Sequence, residues 1–198
     1  MILKKKEFLK NTILFLPFFI FLCLGQVYPL GQDEAAPENK EGWSIIQTAY
    51  FTVYYKPDAN LKRITSRLNT RWFTVNHKPP SNALTGPEEK LAYRLDMILT
   101  KVKEILDMYP ANIHINLMIY KNRKEINGEY CKLSKTSDDC RSFYIYSYNT
   151  IYTSEQDISD SILAHEMTHA LVDNYFSVTP PEKAAEILAQ DVDLHLDD

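Results

Sequence analysis

Three residues of this chain stand at a spacing that does metal chemistry: His165, Glu166 and His169, in the run His165-Glu166-Met167-Thr168-His169. In a helix, residues four apart lie one above the other on one face. Two imidazoles so spaced can grip a single Zn²⁺ from the same side, each about 2 Å from the metal. Glu166 falls about 100° around the helix from His165, beside such a metal and not under it. That position suits a general base acting on a zinc-activated water. The plainer reading of the same residues is a pair of hydrogen-bonded core histidines and a surface carboxylate.

The surrounding segment favours the metal. From Asp157 to Phe176 the pattern is helical, with Ile158, Ile162, His165, His169 and Phe176 on one stripe and Leu163, Met167 and Ala170 on another. A helix apolar on two sides is substantially buried. Imidazoles on such a face need partners, and a cation supplies them.

Catalytic zinc sites normally take three ligands from the protein. After a short connector comes Thr179-Pro180-Pro181-Glu182, which predicts a helix with Thr179 as N-cap, Pro180 in the first turn and Glu182 closing a capping box. It should run to about Leu194 and turn back against the motif helix. Glu186 lies among Ala184, Ala185, Leu188 and Ala189, where a carboxylate without a partner would be costly. Glu186 is therefore the candidate third ligand; Asp191, Asp193 and His195 lie farther along and are weaker.

Upstream elements must position this pair of helices. A strand signal lies in Trp43 to Tyr55, at Tyr50 to Tyr55, and a short helix is expected from Asp58 to Thr70. Residues 76–86, with Pro79, Pro80 and Gly86, read as a loop. Leu91, Leu95, Ile98, Val102 and Ile105 recur at helical spacing, predicting a long helix from Pro87 to Tyr109 that Pro110 stops. Ile113 to Ile119 alternates as a strand. A polar loop with Cys131 and Cys140 should follow, then an alternating strand over Ser142 to Tyr148, with a turn at Asn149 leading into Thr150 to Thr153. In such a strand Tyr144, Tyr146 and Tyr148 share one face. Half-exposed strand tyrosines are ordinary, and they also make a wall for a substrate added to the sheet edge. Among Tyr144, Tyr146, Tyr148 and Tyr152, the sequence does not choose one to stabilise an oxyanion.

The N-terminus reads as a secretory leader over residues 1–25: Lys4, Lys5, Lys6 and Lys10, then an apolar run to Leu24, then the small residue Gly25. An uncleaved anchor is the rival, although the run is short for a span and carries Pro17. Leu22 before Cys23 argues against a lipoprotein anchor. Residues 26–42 are a polar lead-in, and 43–198 suit a single domain. The expected location is periplasmic or secreted, where Cys131 and Cys140 would form a disulfide. Without the leader, 18 basic and 25 acidic side chains remain, a net charge of −7. That balance argues against nucleic acid and against anionic membrane as partners.

The chain resembles the gluzincins, zinc peptidases whose third ligand is a Glu on the helix after the motif helix. Pro180-Pro181-x4-Glu186-x2-Ala189 is similar to the Pro-Pro-x-Trp-Leu-x-Glu-Gly-x-Ala signature of peptidase-MA-like members, with Ile187 where Gly is common. Val172 and Tyr175 occupy the positions where metzincins carry Gly and His or Asp. The element order from Phe51 to Leu194 is similar to the N-terminal half of the thermolysin-like catalytic domain. The resemblance implies an α+β, zincin-like fold: a small mixed sheet with an aromatic edge strand, a long backing helix, the motif helix and a glutamate helix. It implies Zn²⁺ on His165, His169 and Glu186, Glu166 as catalytic base, and a peptide or protein substrate. Many gluzincins place an Asp four residues after the Glu to orient a ligand His; here that position is Gln190, and Asp173, one turn past His169, is the substitute. The resemblance is to a minimal gluzincin, so two other readings stay open: a zinc-stabilised exported domain that binds a protein partner, and a latent peptidase blocked by its N-terminal segment.

Overall fold

The computed structural model describes residues 42–68, 85–136 and 138–198. The expected leader, nearly all of the lead-in, and most of the loop expected at 76–86 lie outside the described residues. Among the described residues no helix is long and apolar enough to cross a membrane.

The architecture is mixed α+β. In chain order it comprises β1 (Ser44–Gln47), β2 (Phe51–Tyr55), α1 (Leu61–Arg67), α2 (Pro87–Leu106), β3 (Ile115–Tyr120), α3 (Arg123–Ser134), β4 (Ser142–Ile145), β5 (Thr150–Ser154), α4 (Asp160–Tyr175) and α5 (Glu182–His195). The sheet order is β1-β2-β3-β5-β4. β2, β3 and β5 run parallel, and β1 and β4 flank them antiparallel. The strand signal before Tyr55 is thus a hairpin. Its turn is held from α2: Thr48 Oγ1 donates to Asp96 Oδ1 at 2.6 Å, and the Ala49 and Tyr50 amides donate to the same carboxylate at 3.1 and 3.3 Å.

Strand alternation divides the side chains between two cores. Phe51, Val53, Ile115, Leu117, Ile119 and Ile151 meet α1, α2, α4 and α5 on one face. Tyr54, Met118, Phe143 and Tyr152 meet Ile126 and Tyr130 of α3 on the other.

Several expectations are corrected. The cysteine-bearing loop contains helix α3. Asn122 caps it by accepting from the Glu125 amide at 3.1 Å, and Lys135 closes it in the left-handed region at φ 59°. The signal was present in Asn122-x-x-Glu125 followed by Ile126, Tyr130 and Leu133 at helical spacing. Cys131 is exposed on that helix, Cys140 packs into the aromatic core, and the structure joins no disulfide between them. The aromatic strand ends at Ile145, and Tyr146–Tyr148 form a 3₁₀ turn into Asn149 at φ 44°. Tyr144, Tyr146 and Tyr148 therefore do not share a strand face. α2 stops at Leu106, before Pro110, because Asp107 turns left-handed at φ 50°. α5 begins at Glu182, with Pro181 extended at φ −54°, ψ 141° as its cap. A proline ring disfavours helical backbone in the preceding residue, so Pro181 bars Pro180 from the helix and Glu182 closes no capping box with Thr179.

Candidate metal centre

α4 is anchored by Ser159, whose hydroxyl accepts from the Ile162 amide at 3.4 Å. Leu163, Met167, Ala170 and Leu171 bury it against the sheet core, and Thr168 donates back to the Ala164 carbonyl at 2.9 Å. That packing sets the helix rotation. It leaves His165 and His169 on the α5 side, with side chains 24% and 19% exposed. α5 lies along α4 and buries Ala189 and Val192.

Glu186 reaches both imidazoles. Its Oε2 lies 3.7 Å from His165 Nε2, and its Oε1 lies 3.2 Å from His169 Nε2. The ligand atoms of all three residues lie within 4.8 Å of one another. Ligands of a tetrahedral Zn²⁺ at about 2.0–2.1 Å are separated by about 3.3 Å; the 3.2 Å approach is close to that edge, and the 3.7 Å approach, made by the other carboxylate oxygen, is a few tenths of an ångström longer. Two neutral imidazoles and one carboxylate are also a donor set that zinc prefers. The residues fit the ion.

The carboxylate placed to orient His165 is Asp193. Its Oδ2 lies 3.0 Å from His165 Nδ1. With Nδ1 engaged there, Nε2 is the nitrogen that faces Glu186, which is the arrangement metal-binding histidines generally adopt. Asp193 stands seven residues, about two helical turns, beyond Glu186 and so shares its face. The i,i+7 spacing was visible in the sequence, but Asp191 and Gln190 compete with it there. Gln190 is exposed and takes no part. Asp173 lies beside the Tyr144 hydroxyl and exerts its charge on His169. Its partner ring is the tyrosine, not an imidazole.

Charges are shifted as a crowded carboxylate site requires. Burial pushes the Glu166 carboxyl up; the two imidazoles oppose this, and Glu186 and Asp193 add to it. The His169 hydrogen bond pulls Glu186 down against its partial burial. Burial lowers His165, but the Asp193 hydrogen bond and the charges of Glu166, Asp193 and Glu186 outweigh it and the ring ends raised. A carboxylate buried beside two imidazoles and raised above the ordinary Glu value could serve in proton transfer.

The tyrosines separate by strand parity. Tyr152 is fully buried on the α3 face, stacked 4.7 Å from Phe143, so it is a core residue with no access to the histidines. Tyr144 points to the α4 face, where its hydroxyl donates to Asn149 Oδ1 at 3.1 Å and lies beside Asp173. Tyr146 is 62% exposed and Tyr148 is half-buried in the turn beyond the strand.

Comparison of the chain with protein families, with curated proteins and with solved structures finds no match. Fold and site together define a mixed α+β protein with a His/His/Glu cluster built on two successive helices.

Proposed function

We propose that this chain is an exported, zinc-dependent peptidase of the gluzincin kind. The observation that carries the reading is the convergence of His165, His169 and Glu186 from two helices, with a second, buried carboxylate, Glu166, beside them. A merely structural pair of histidines would not need that second acid. Export rests on the basic and apolar leader of residues 1–25.

In this reading His165, His169 and Glu186 hold the zinc. Bound there, zinc supplies Lewis acidity and lowers the pKa of a water towards about 7. Glu166 takes the proton from the attacking water and returns it to the leaving amine. Asp193 holds His165 in the tautomer with Nε2 free. β4 is an edge strand with a backbone edge for an extended substrate, since peptides commonly add to open sheet edges. Tyr146, exposed at the end of that strand, is the tyrosine best disposed to contact it.

The test is metal analysis and peptide-library cleavage by the parent and by Glu166→Gln. The parent should carry one zinc and cleave; the variant should keep zinc and fold but lose hydrolysis. A parent that binds no zinc ends the reading. Zinc without hydrolysis of any library member leaves the zinc-stabilised binding domain in its place.

A further inference from the structure

The two helices that carry the site are the acidic part of the molecule. From Asp157 to Asp198 the chain has ten Asp and Glu side chains against one Lys, Lys183, and no Arg. Because the whole chain is only −4, the rest of it is net basic.

Four of those carboxylates crowd the histidines. Glu186 and Asp193 touch the imidazoles directly. Asp173 exerts its charge on His169, and Glu166 exerts its own on both rings. Glu166 is nine-tenths buried, and its carboxylate accepts no hydrogen bond from any described residue. Ligand imidazoles are neutral, so one divalent cation leaves this group with two negative charges in excess.

At the C-terminal end of α4, two and three residues past Asp173, are exposed aromatic rings. Tyr175 and Phe176 end α4, edge to face at 5.2 Å, 46% and 41% exposed. Tyr146 is tied to the same end through Asn149, which accepts from Asn174 Nδ2 at 3.3 Å and donates its amide to the Tyr146 carbonyl at 2.9 Å. Aromatic faces beside negative charge receive ammonium and guanidinium groups through their quadrupoles while packing the apolar stems.

Resting on the peptidase reading, we infer that the site selects cationic polypeptide segments, extended along the β4 edge with Lys or Arg flanking the scissile bond. A substrate carboxylate in the same place meets Glu166, Glu186 and Asp193 and finds no cation on α4 and only Lys183 on α5. An internal bond in a basic segment is therefore favoured over a bond next to a free C-terminus. Fields of this kind raise the local concentration of oppositely charged ligands and fade with salt.

The experiment uses the full chain loaded with zinc and three quenched fluorescent peptides of one neutral core, flanked by Lys, Gln or Glu. Hydrolysis by the parent and binding to zinc-loaded Glu166→Gln are both measured, at about 0.02 M and about 0.5 M salt. Binding and kcat/KM should fall in the order Lys, Gln, Glu, by about tenfold or more between extremes at low salt and within about twofold at high salt. Glu182→Gln combined with Asp191→Asn and Asp197→Asn should narrow the low-salt spread. Equal binding of the three peptides, or preference for the Glu peptide, overturns the selection even if all are cleaved. Ordered binding without hydrolysis by the parent overturns the peptidase reading and leaves the cationic site standing. Neither binding nor hydrolysis of any peptide overturns both.

Discussion

Asp193 Oδ2 lies 3.0 Å from His165 Nδ1, on the same helix that brings Glu186 to the other nitrogen of that ring. One helix thus engages both sides of one imidazole, and in the proposed site Glu186 is the ligand and Asp193 the orienting group. Removing an orienting carboxylate typically costs about 10–100-fold in metal affinity. Asp193→Ala should weaken zinc by that factor while Gln190→Ala leaves it unchanged, as read by competition with a chromophoric chelator. Equal affinities for parent and Asp193→Ala would remove Asp193 from the site.

Glu186→Ala should weaken zinc by orders of magnitude, because two imidazoles alone leave the ion short of protein ligands. Asp191→Ala and His195→Ala, which alter a pair 3.3 Å apart away from the cluster, should not. Zinc binding to the parent should also raise its melting temperature. At a hundredfold excess over Kd, zinc stabilises a folded state by about 2.7 kcal/mol. Chelation should reverse the rise, and Glu186→Ala should lack it at the same zinc concentration. A Glu186→Ala variant that melts and titrates like the parent refutes the third ligand.

Tyr152 and Tyr146 should respond oppositely to truncation. Tyr152→Ala opens a cavity under Phe143 and Tyr120 and should cost about 3–5 kcal/mol of stability. Tyr146→Ala should change stability by no more than about 0.5 kcal/mol, since its ring is largely in solvent, while raising KM for peptide. Chemical denaturation and steady-state kinetics separate the two. A Tyr146→Ala variant with unchanged KM rules out the contact.

Acid should act on the ion pair that joins α3 to the loop before α4. Burial raises Asp157, but the Arg123 guanidinium and the Ser154 hydroxyl outweigh it and hold the carboxyl below its ordinary 3.8. A carboxylate depressed on folding contributes stability that is fully present above its unfolded value and lost as pH falls through the lower folded one. The stability difference between parent and Asp157→Asn should therefore be constant above about pH 5 and shrink as pH drops below 4. Denaturant unfolding from pH 6 to pH 2 measures it; a difference that grows on acidification contradicts the pairing.

Much of the fold was legible where the signal is local. Leu91, Leu95, Ile98 and Val102 mark the buried face of α2 because a helix repeats every 3.6 residues whatever it packs against. Asn149 marked its turn, since Asn tolerates the left-handed backbone found there. Helix α3 was missed because its polar surface outweighed Ile126 and Tyr130, its two buried residues. The single aromatic strand was an over-extension: alternation continues through Tyr148, but the hydrogen-bonded ladder stops at Ile145, and no periodicity records where a partner strand ends.

The sequence alone determined the pairing of His165 with His169, since four residues of helix put two side chains on one face in any surroundings. It also determined Glu186 as a candidate, through a following helix too close in the chain to pack elsewhere. What only the tertiary structure decided is which carboxylate serves which nitrogen. Asp173, Gln190, Asp191 and Asp193 are all near in sequence, and the packing of α5 on α4 through Ala189 and Val192 brings Asp193 to His165 while Asp173 turns to Tyr144. The tyrosines follow the same rule. Their faces depend on sheet register and on the 3₁₀ turn after Ile145, both set by contacts between segments distant in the chain and so absent from any local pattern.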